Sequence, residues 1–193
     1  MSATKSYRVN EIFYSLQGEG YWTGTPMVFV RLCGCNIACP FCDTDHRDGT
    51  LMRAEEIVDE VRSHACGRIC LTGGEPSLQA DRSLVEAFHL AGYRVHVETN
   101  GTRPLPEGID WITLSPKDAP VVLERADEVK LVYTGDESGI PRWLDFPGAH
   151  FLQPCDTGDA ELNRSLTGRC IDYIKKNPEW RLSLQTHKLL DIR

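Results

Sequence analysis

The sequence predicts an α/β fold, an incomplete and modified TIM-type parallel barrel of about six strands with three to four helices. Short apolar segments rich in β-branched and aromatic residues alternate with segments of helical periodicity, as in successive βαβ units. A complete eightfold barrel typically needs about 250 residues, whereas this chain has 193. We therefore expect a shortened barrel in a single domain that spans residues 1–193.

The first half of the chain supplies two strand and helix pairs. Residues 26–32 form an apolar run with β-branched side chains, which is typical of a buried strand. Residues 54–65 place apolar side chains on one face of a helix. A strand over residues 68–72 follows, and the next helix carries Leu84, Val85 and Phe88.

The second half is richer in strands than in helices. A helix is predicted near residues 162–175, and a closing strand over residues 181–185. The segment between residues 100 and 127 holds Gly, Pro and charged residues without a helical period, so we expect some crossovers to have lost their helices. The remaining predicted strands cover residues 94–99, 111–114, 128–133 and 150–153.

Composition limits the classes of partner and the compartment. The chain carries a net charge of −7, which argues against direct binding of nucleic acid or an anionic membrane. Neither an apolar signal-peptide region nor a run of about 18 apolar residues occurs, so we expect a cytoplasmic protein without a membrane span. Its eight cysteines are therefore expected to stay reduced, for metal binding or core packing.

Three cysteines, Cys35, Cys39 and Cys42, have the spacing C-x3-C-x2-C. Three thiolates can hold three irons of a 4Fe-4S cluster and leave the fourth iron open. A zinc knuckle that includes Cys33 is the alternative, although structural four-cysteine zinc sites usually use two separated pairs. Cys33 is either a core thiol or a fourth ligand that would close the cluster.

A second motif, Gly73-Gly74-Glu75-Pro76, follows the second predicted strand. It reads by itself as a tight turn, but two glycines also let the backbone approach a ligand, and Glu75 can accept a hydrogen bond from an amino group. Together, the cysteines and this motif resemble the radical S-adenosylmethionine (SAM) superfamily. The resemblance implies that the open iron chelates the amino and carboxylate groups of SAM, whose cleavage gives a 5′-deoxyadenosyl radical.

Further motifs, which extend from about Glu11 to Lys188, resemble a narrower family, the 7-carboxy-7-deazaguanine synthases. They are Glu11 to Gly20, Phe29 to Leu32, Cys42-Asp43-Thr44, Val97 to Gly101, Ser115-Pro116-Lys117, Leu152-Gln153-Pro154 and Gln185 to Lys188. The resemblance implies a carbon-nitrogen lyase that contracts the ring of 6-carboxy-5,6,7,8-tetrahydropterin to 7-carboxy-7-deazaguanine and releases ammonia, in queuosine-type 7-deazapurine biosynthesis. No general base is assigned.

The resemblance also implies a set of substrate-binding positions. Arg31 would engage the substrate carboxylate, since a guanidinium fork suits a carboxylate. The terminal carboxylate of the family reaches the pterin, and family members end in proline, whereas this chain ends in Arg193. The substrate-binding positions are Leu16, Gln17, Gly18, Arg31, Thr72 and Arg193.

Cofactor positions follow from the same resemblance. Thr44 matches a magnesium ligand, so Mg2+ would need substrate oxygens and water to complete its octahedron; a threonine that caps a turn is the alternative. Glu98 would bond a ribose hydroxyl. The SAM-binding positions are Phe41, Cys42, Asp43, Gly74, Glu75, Glu98, Ser115, Pro116, Lys117, Gln153, Pro154, Cys155 and Asp156.

Partners are implied as well. The resemblance implies a homodimer that takes its electron from an external one-electron reductant such as flavodoxin or ferredoxin. Two rival interpretations use the same cysteines: a radical SAM activase that acts on a partner protein, and a non-enzymatic metal or electron-transfer protein. The Leu16-Gln17-Gly18 segment and Arg31 argue against the activase.

Overall fold

Nine strands form one mixed sheet in the computed structural model, which describes residues 5–193. The sheet order is β3-β1-β2-β4-β5-β6-β7-β8-β9, with β2 and β4 to β9 parallel and β1 antiparallel to both of its neighbours. The strands are β1 (Ser6–Leu16), β2 (Pro26–Leu32), β3 (Thr50–Arg53), β4 (Arg68–Gly73), β5 (Arg94–Thr99), β6 (Trp111–Leu114), β7 (Glu128–Tyr133), β8 (Ala149–Pro154) and β9 (Trp180–Leu182).

Four α-helices accompany the sheet: α1 (Ala54–Val61), α2 (Arg82–Leu90), α3 (Ala160–Lys176) and α4 (Thr186–Leu190). The buried faces of α1, α2 and α3 pack with the apolar side chains of the strands in one core. Side-chain caps fix where two of these helices begin: Asp81 accepts a hydrogen bond from the backbone N–H of Leu84 at 3.1 Å, and Asp159 accepts from the N–H groups of Glu161 and Leu162. None of the helices described in residues 5–193 is long and apolar enough to cross a membrane.

The predicted fold class is confirmed. The six strands β2 and β4 to β8 lie where the pattern placed them, and the closing strand is shorter than predicted and ends at Leu182. No α-helix lies between β5 and β6 or between β6 and β7 in the described chain, which confirms the lost crossovers. The sequence analysis missed β1, β3 and α4.

The inner face of the sheet is covered by the β1–β2 connection and by the segment after β9. Gly20 donates its N–H to Ser183 Oγ at 2.9 Å, and Tyr21 donates its N–H to Glu128 Oε2 at 2.7 Å. Thr186, after β9, donates its N–H to Gly18 O at 2.9 Å. The β1–β2 connection, residues 17–25, therefore reaches across the inner face to the segment after β9 and closes one side of an otherwise open sheet.

Candidate active site

A cavity of about 420 Å3 lies at the carboxyl ends of the parallel strands and is walled by the cysteine loop, residues 33–49, and by residues 185–193. Parallel α/β sheets place ligand sites at this edge because side chains distant in sequence converge there. The site residues chosen from the sequence line this cavity, apart from Glu75 and Pro116. They are Leu16, Gln17, Gly18, Arg31, Cys35, Cys39, Phe41, Cys42, Asp43, Thr44, Thr72, Gly74, Glu98, Ser115, Lys117, Gln153, Pro154, Cys155, Asp156 and Arg193.

The three motif cysteines are free thiols on one wall of the cavity. Cys42 donates its N–H to Cys39 O at 3.2 Å, so a tight turn holds these two together. In residues 5–193 no group of three or more His, Cys, Asp or Glu side chains is arranged so that it could hold a metal ion. In a 4Fe-4S cluster each thiolate binds a different iron, so the thiols need not lie close enough together to share one metal ion. Three soft, free thiols on one loop therefore fit such a cluster.

Cys33 stands apart from this set. It is buried, it does not line the cavity, and its Sγ donates to Asp48 O at 3.2 Å. Burial raises the pKa of the Cys33 thiol, but it raises the pKa of Cys39 as well, so it is the position of Cys33 outside the cavity that sets this thiol apart. Of the two alternatives left open by the sequence, the structure favours the core thiol over a fourth cluster ligand.

Gly74 brings the glycine motif against the start of the cysteine loop. A Cβ at Gly74 would lie 2.0 Å from Gly34 O and 2.9 Å from Cys35 N, and both of these are backbone atoms. The next residue donates its N–H to Gly34 O at 2.8 Å. The glycine is therefore required for a close backbone approach that fixes the position of Cys35.

Glu75 is held by protein donors. Its buried carboxylate accepts from Thr99 Oγ1 at 2.7 Å, from the Asn100 N–H at 2.7 Å and from the Ser77 N–H at 3.0 Å, and it does not line the cavity. These contacts fix the turn after β5, but Oε2 accepts only one of them, so the expected contact with an amino group of SAM remains a prediction. Pro116 does not line the cavity itself but lies between two residues that do, and its assignment to SAM also remains a prediction.

The floor of the cavity is a buried polar network. Gln17 donates from Nε2 to Glu98 Oε1 at 2.8 Å, and Lys130 Nζ donates to Glu19 Oε2 at 2.5 Å and to Glu98 Oε2 at 3.3 Å. Burial opposes ionisation of Lys130, but the charges of Glu19 and Glu98 outweigh it and raise the pKa of the ammonium group. The sequence analysis missed Glu19 and Lys130, although a lysine inside the apolar strand Glu128–Tyr133 was an available signal.

One end of the cavity concentrates guanidinium groups. Arg31 Nε donates to Glu11 Oε1 at 2.8 Å, and Arg31 Nη1 lies 3.5 Å from Thr44 Oγ1. Arg193 pairs with the other oxygen of Glu11. Both guanidinium groups lie over the Phe13 ring, at 5.6 Å for Arg31 and 5.2 Å for Arg193. This end therefore suits a carboxylate that lies next to a hard oxygen ligand.

Residues 185–188 tie the cavity walls together. Lys188 Nζ bridges Asp43 Oδ2 and Asp156 Oδ2, at 2.7 Å each, and Gln185 Nε2 donates to Glu19 Oε1 at 3.0 Å. Burial raises the pKa of Asp43, but the Lys188 hydrogen bond and charge outweigh this effect and lower it overall. The sequence analysis noted this stretch only as a family motif and did not assign site roles to Gln185, His187 and Lys188, which all line the cavity.

Lys117 supplies a half-buried cation near the cysteines. Its Nζ donates to Ser115 Oγ at 2.6 Å and to Ser115 O at 3.0 Å. Burial lowers the pKa of Lys117, and the charge of Lys130 adds to that effect. The side chain is thus placed to pair with a ligand carboxylate, which would offset its burial.

Comparison with known proteins gives one consistent result. The model of the radical SAM superfamily matches residues 30–125. A protein of Bacteroides thetaiotaomicron named 7-carboxy-7-deazaguanine synthase is 54% identical over 96% of this chain and 98% of its own length. A Burkholderia multivorans protein of the same name is 41% identical over 97% of this chain and 99% of its own length.

A solved structure agrees with the sequence relatives. The crystal structure of QueE from Escherichia coli matches with a TM-score of 0.77 and 28% identity, over 93% of each chain. This chain therefore belongs to the 7-carboxy-7-deazaguanine synthase family of radical SAM enzymes.

Proposed function

We propose that this chain forms 7-carboxy-7-deazaguanine from 6-carboxy-5,6,7,8-tetrahydropterin, with ring contraction and loss of ammonia. The enzyme is then a carbon-nitrogen lyase of queuosine-type 7-deazapurine biosynthesis. Relatives at up to 54% identity carry this enzyme name. The observation that carries the proposal is a single cavity lined by the three cysteines, by Arg31 and by the Gln17–Glu98 pair.

The cysteine wall holds the cofactors. Cys35, Cys39 and Cys42 would bind a 4Fe-4S cluster, which with SAM supplies one-electron cleavage and a radical that removes a substrate hydrogen. Lys117 offers its ammonium group to the methionyl carboxylate, and Phe41 packs near the adenine. Asp156, another of the SAM positions, is held by Lys188 at 2.7 Å.

Substrate recognition falls to the guanidinium end and to the floor. Arg31 uses Nε for Glu11 at 2.8 Å, which leaves its terminal nitrogens for the pterin carboxylate. Gln17 both donates and accepts, and its donation to Glu98 at 2.8 Å fixes which amide atom faces the pterin edge. Gln185, His187, Lys188 and Arg193 line the same cavity and complete its wall.

Mg2+ belongs beside Arg31. Thr44 is the protein ligand implied by the family motif, and its hydroxyl lies 3.5 Å from Arg31 Nη1. One neutral hydroxyl binds Mg2+ weakly, so substrate oxygens and water must supply the remaining positions of the octahedron. The affinity for Mg2+ would therefore depend on substrate, and Mg2+ held by Thr44 would supply stabilisation of negative charge at the substrate carboxylate.

The assembly and the electron donor complete the proposal. The active form is a homodimer in the cytoplasm, its Thr44 site takes Mg2+, and its electron comes from a flavodoxin-like or ferredoxin-like protein. The acidic balance of −7 and the small cavity support a free pterin substrate rather than a nucleic acid. These assignments follow the family resemblance.

The decisive experiment is anaerobic reconstitution with iron and sulfide, followed by incubation with SAM, Mg2+, reductant and the carboxypterin. The expected result is 7-carboxy-7-deazaguanine and ammonia in equal amounts, with SAM not consumed. Cys39→Ala is the control, since it should bind no complete cluster and form no product.

Two outcomes contradict the proposal. A wild-type protein with an intact paramagnetic cluster that cleaves SAM but forms no deazaguanine would refute the substrate assignment and return the activase interpretation. Zinc instead of iron in the purified protein, with no cluster formed on reconstitution, would refute the radical chemistry itself.

A further inference from the structure

Lys130 is a buried cation for which the proposed reaction has so far given no role. It lies on β7, only 4% of its side chain is exposed, and it lines the cavity. Burial of an ammonium group is costly unless partners compensate for it. Lys130 has two such partners, Glu19 Oε2 at 2.5 Å and Glu98 Oε2 at 3.3 Å.

The two carboxylates come from separate parts of the chain. Glu19 belongs to the β1–β2 connection, and Glu98 lies on β5. The remaining oxygen of each carboxylate accepts from a cavity side chain: Gln17 donates to Glu98 at 2.8 Å, and Gln185 donates to Glu19 at 3.0 Å. Lys130 is thus the central link of a chain of hydrogen bonds from the pterin-binding segment to the segment that closes the cavity.

Other charged and titratable groups act on Lys130 from neighbouring elements. Glu128 lies two residues earlier on the same strand, Lys117 follows β6, and Cys70 lies on β4. Glu128 is anchored by Thr113 and by the Tyr21 N–H, and it does not line the cavity. The close hydrogen-bond partners of Lys130 are therefore the two carboxylates that carry the ligand-facing amides.

We propose that Lys130 is a positioning residue: it cross-links Glu98 to Glu19 and thereby orients Gln17 toward the pterin and Glu98 toward the SAM ribose. This inference rests on the proposed function. Without Lys130, two carboxylates face each other at the cavity floor and must separate or take up a proton. Gln17 then loses a fixed acceptor, and the β1–β2 connection loses its tie through Glu19 to β7.

The test measures ligand binding rather than turnover. Cluster-reconstituted protein is kept free of reductant, and the dissociation constants of SAM and of the carboxypterin are measured by anaerobic equilibrium dialysis. Lys130→Met should raise both dissociation constants by at least about tenfold, as expected when a buried charged partner is removed. Lys130→Arg keeps the charge and should recover affinities to within about threefold of wild type.

The matched control is Thr113→Val, which removes a buried hydrogen bond to Glu128 on the neighbouring strand. Its affinities should stay within about threefold of wild type, because the hydrogen bond that it removes lies outside the cavity. A pH series adds a second readout. Lys130 lowers the pKa of Glu19 against the effect of burial, so in Lys130→Met the affinities should fall further as the pH is lowered, and in Thr113→Val they should not.

The outcomes separate this inference from the proposed function. Wild-type affinities in Lys130→Met, or equal losses in Thr113→Val, would overturn the role of Lys130. If circular dichroism shows that Lys130→Met is unfolded, Glu19→Gln decides, since an unchanged pterin affinity there would also overturn the cross-link. A wild-type enzyme that binds both ligands but forms no deazaguanine would refute the function and leave the Lys130 comparison valid.

Discussion

Replacement of Arg31 by lysine tests the guanidinium end of the cavity most directly. Arg31 makes two kinds of contact at once: Nε donates to Glu11 at 2.8 Å, and the terminal nitrogens face the cavity next to Thr44. A lysine keeps the charge but has a single nitrogen, which Glu11 would capture. The substrate carboxylate would then lose the charged hydrogen bonds of the fork.

The expected increase in KM follows from the burial of Arg31 and from the free energy of the lost hydrogen bond. Only 21% of the Arg31 side chain is exposed, so solvent weakens its contacts little. A hydrogen bond to a charged group contributes about 1.5–3 kcal/mol, and about 1.4 kcal/mol corresponds to a factor of ten. Loss of one such bond should therefore raise KM for the carboxypterin by about 10- to 100-fold.

Steady-state kinetics with reconstituted enzyme, together with SAM binding, provides the assay. The affinity for SAM should change by less than about threefold, since Arg31 makes no hydrogen bond to any of the SAM positions in the described chain. Adding Glu11→Gln to Arg31→Lys releases the new lysine from Glu11 and should lower KM part of the way back to the wild-type value. An unchanged KM in Arg31→Lys, or an equal loss of SAM affinity, would refute the assignment of Arg31 to the carboxylate.

Three other predictions concern the cluster and the core. Gly74→Ala should lose most of its iron on reconstitution because its Cβ would collide with backbone, whereas Gly67→Ala, where a Cβ meets nothing within 4 Å, should retain wild-type iron content; equal iron in both would contradict the close approach. Cys33→Ala should keep the paramagnetic signal of a cluster that Cys39→Ala loses, and loss in both would restore Cys33 as a ligand. Burial lowers the pKa of His96 from 6.5 to about 4, so the unfolded state binds more protons as the pH falls. The free energy of unfolding of the wild type, measured with urea, should therefore fall by about 1.3 kcal/mol between about pH 7.5 and 5.5 relative to that of His96→Phe. Parallel curves of this free energy against pH for the two proteins would show that His96 does not titrate this way.

The parallel part of the sheet was predictable because its strands are buried and carry apolar runs. Residues 26–32 and 128–133 are examples, and β2 and β7 have those bounds. The antiparallel edge was missed for a physical reason. β1 mixes buried side chains such as Tyr7 and Val9 with exposed ones, and β3 has only four residues, so neither presents a continuous apolar run.

The site was predictable as a list of residues but not as a set of contacts. Motifs identified Gln17, Arg31 and Glu98 one by one, yet the pairing of Gln17 with Glu98 joins positions 81 apart in the chain. The protein donors of Glu75, Thr99 and Asn100, were not predicted, because they lie on another strand and its following turn. Such partners are set by strand order, which one sequence pattern does not encode.

The closure of the cavity has a consequence for how the protein folds. Gly20 meets Ser183 and Gly18 meets Thr186, which are separations of 163 and 168 residues along the chain. Contacts of such high sequence separation form late, because the entropy of closing so long a loop must be offset by structure in between. We therefore expect the substrate pocket to be the last part to assemble, and hydrogen exchange to reach residues 17–20 well before the central strands.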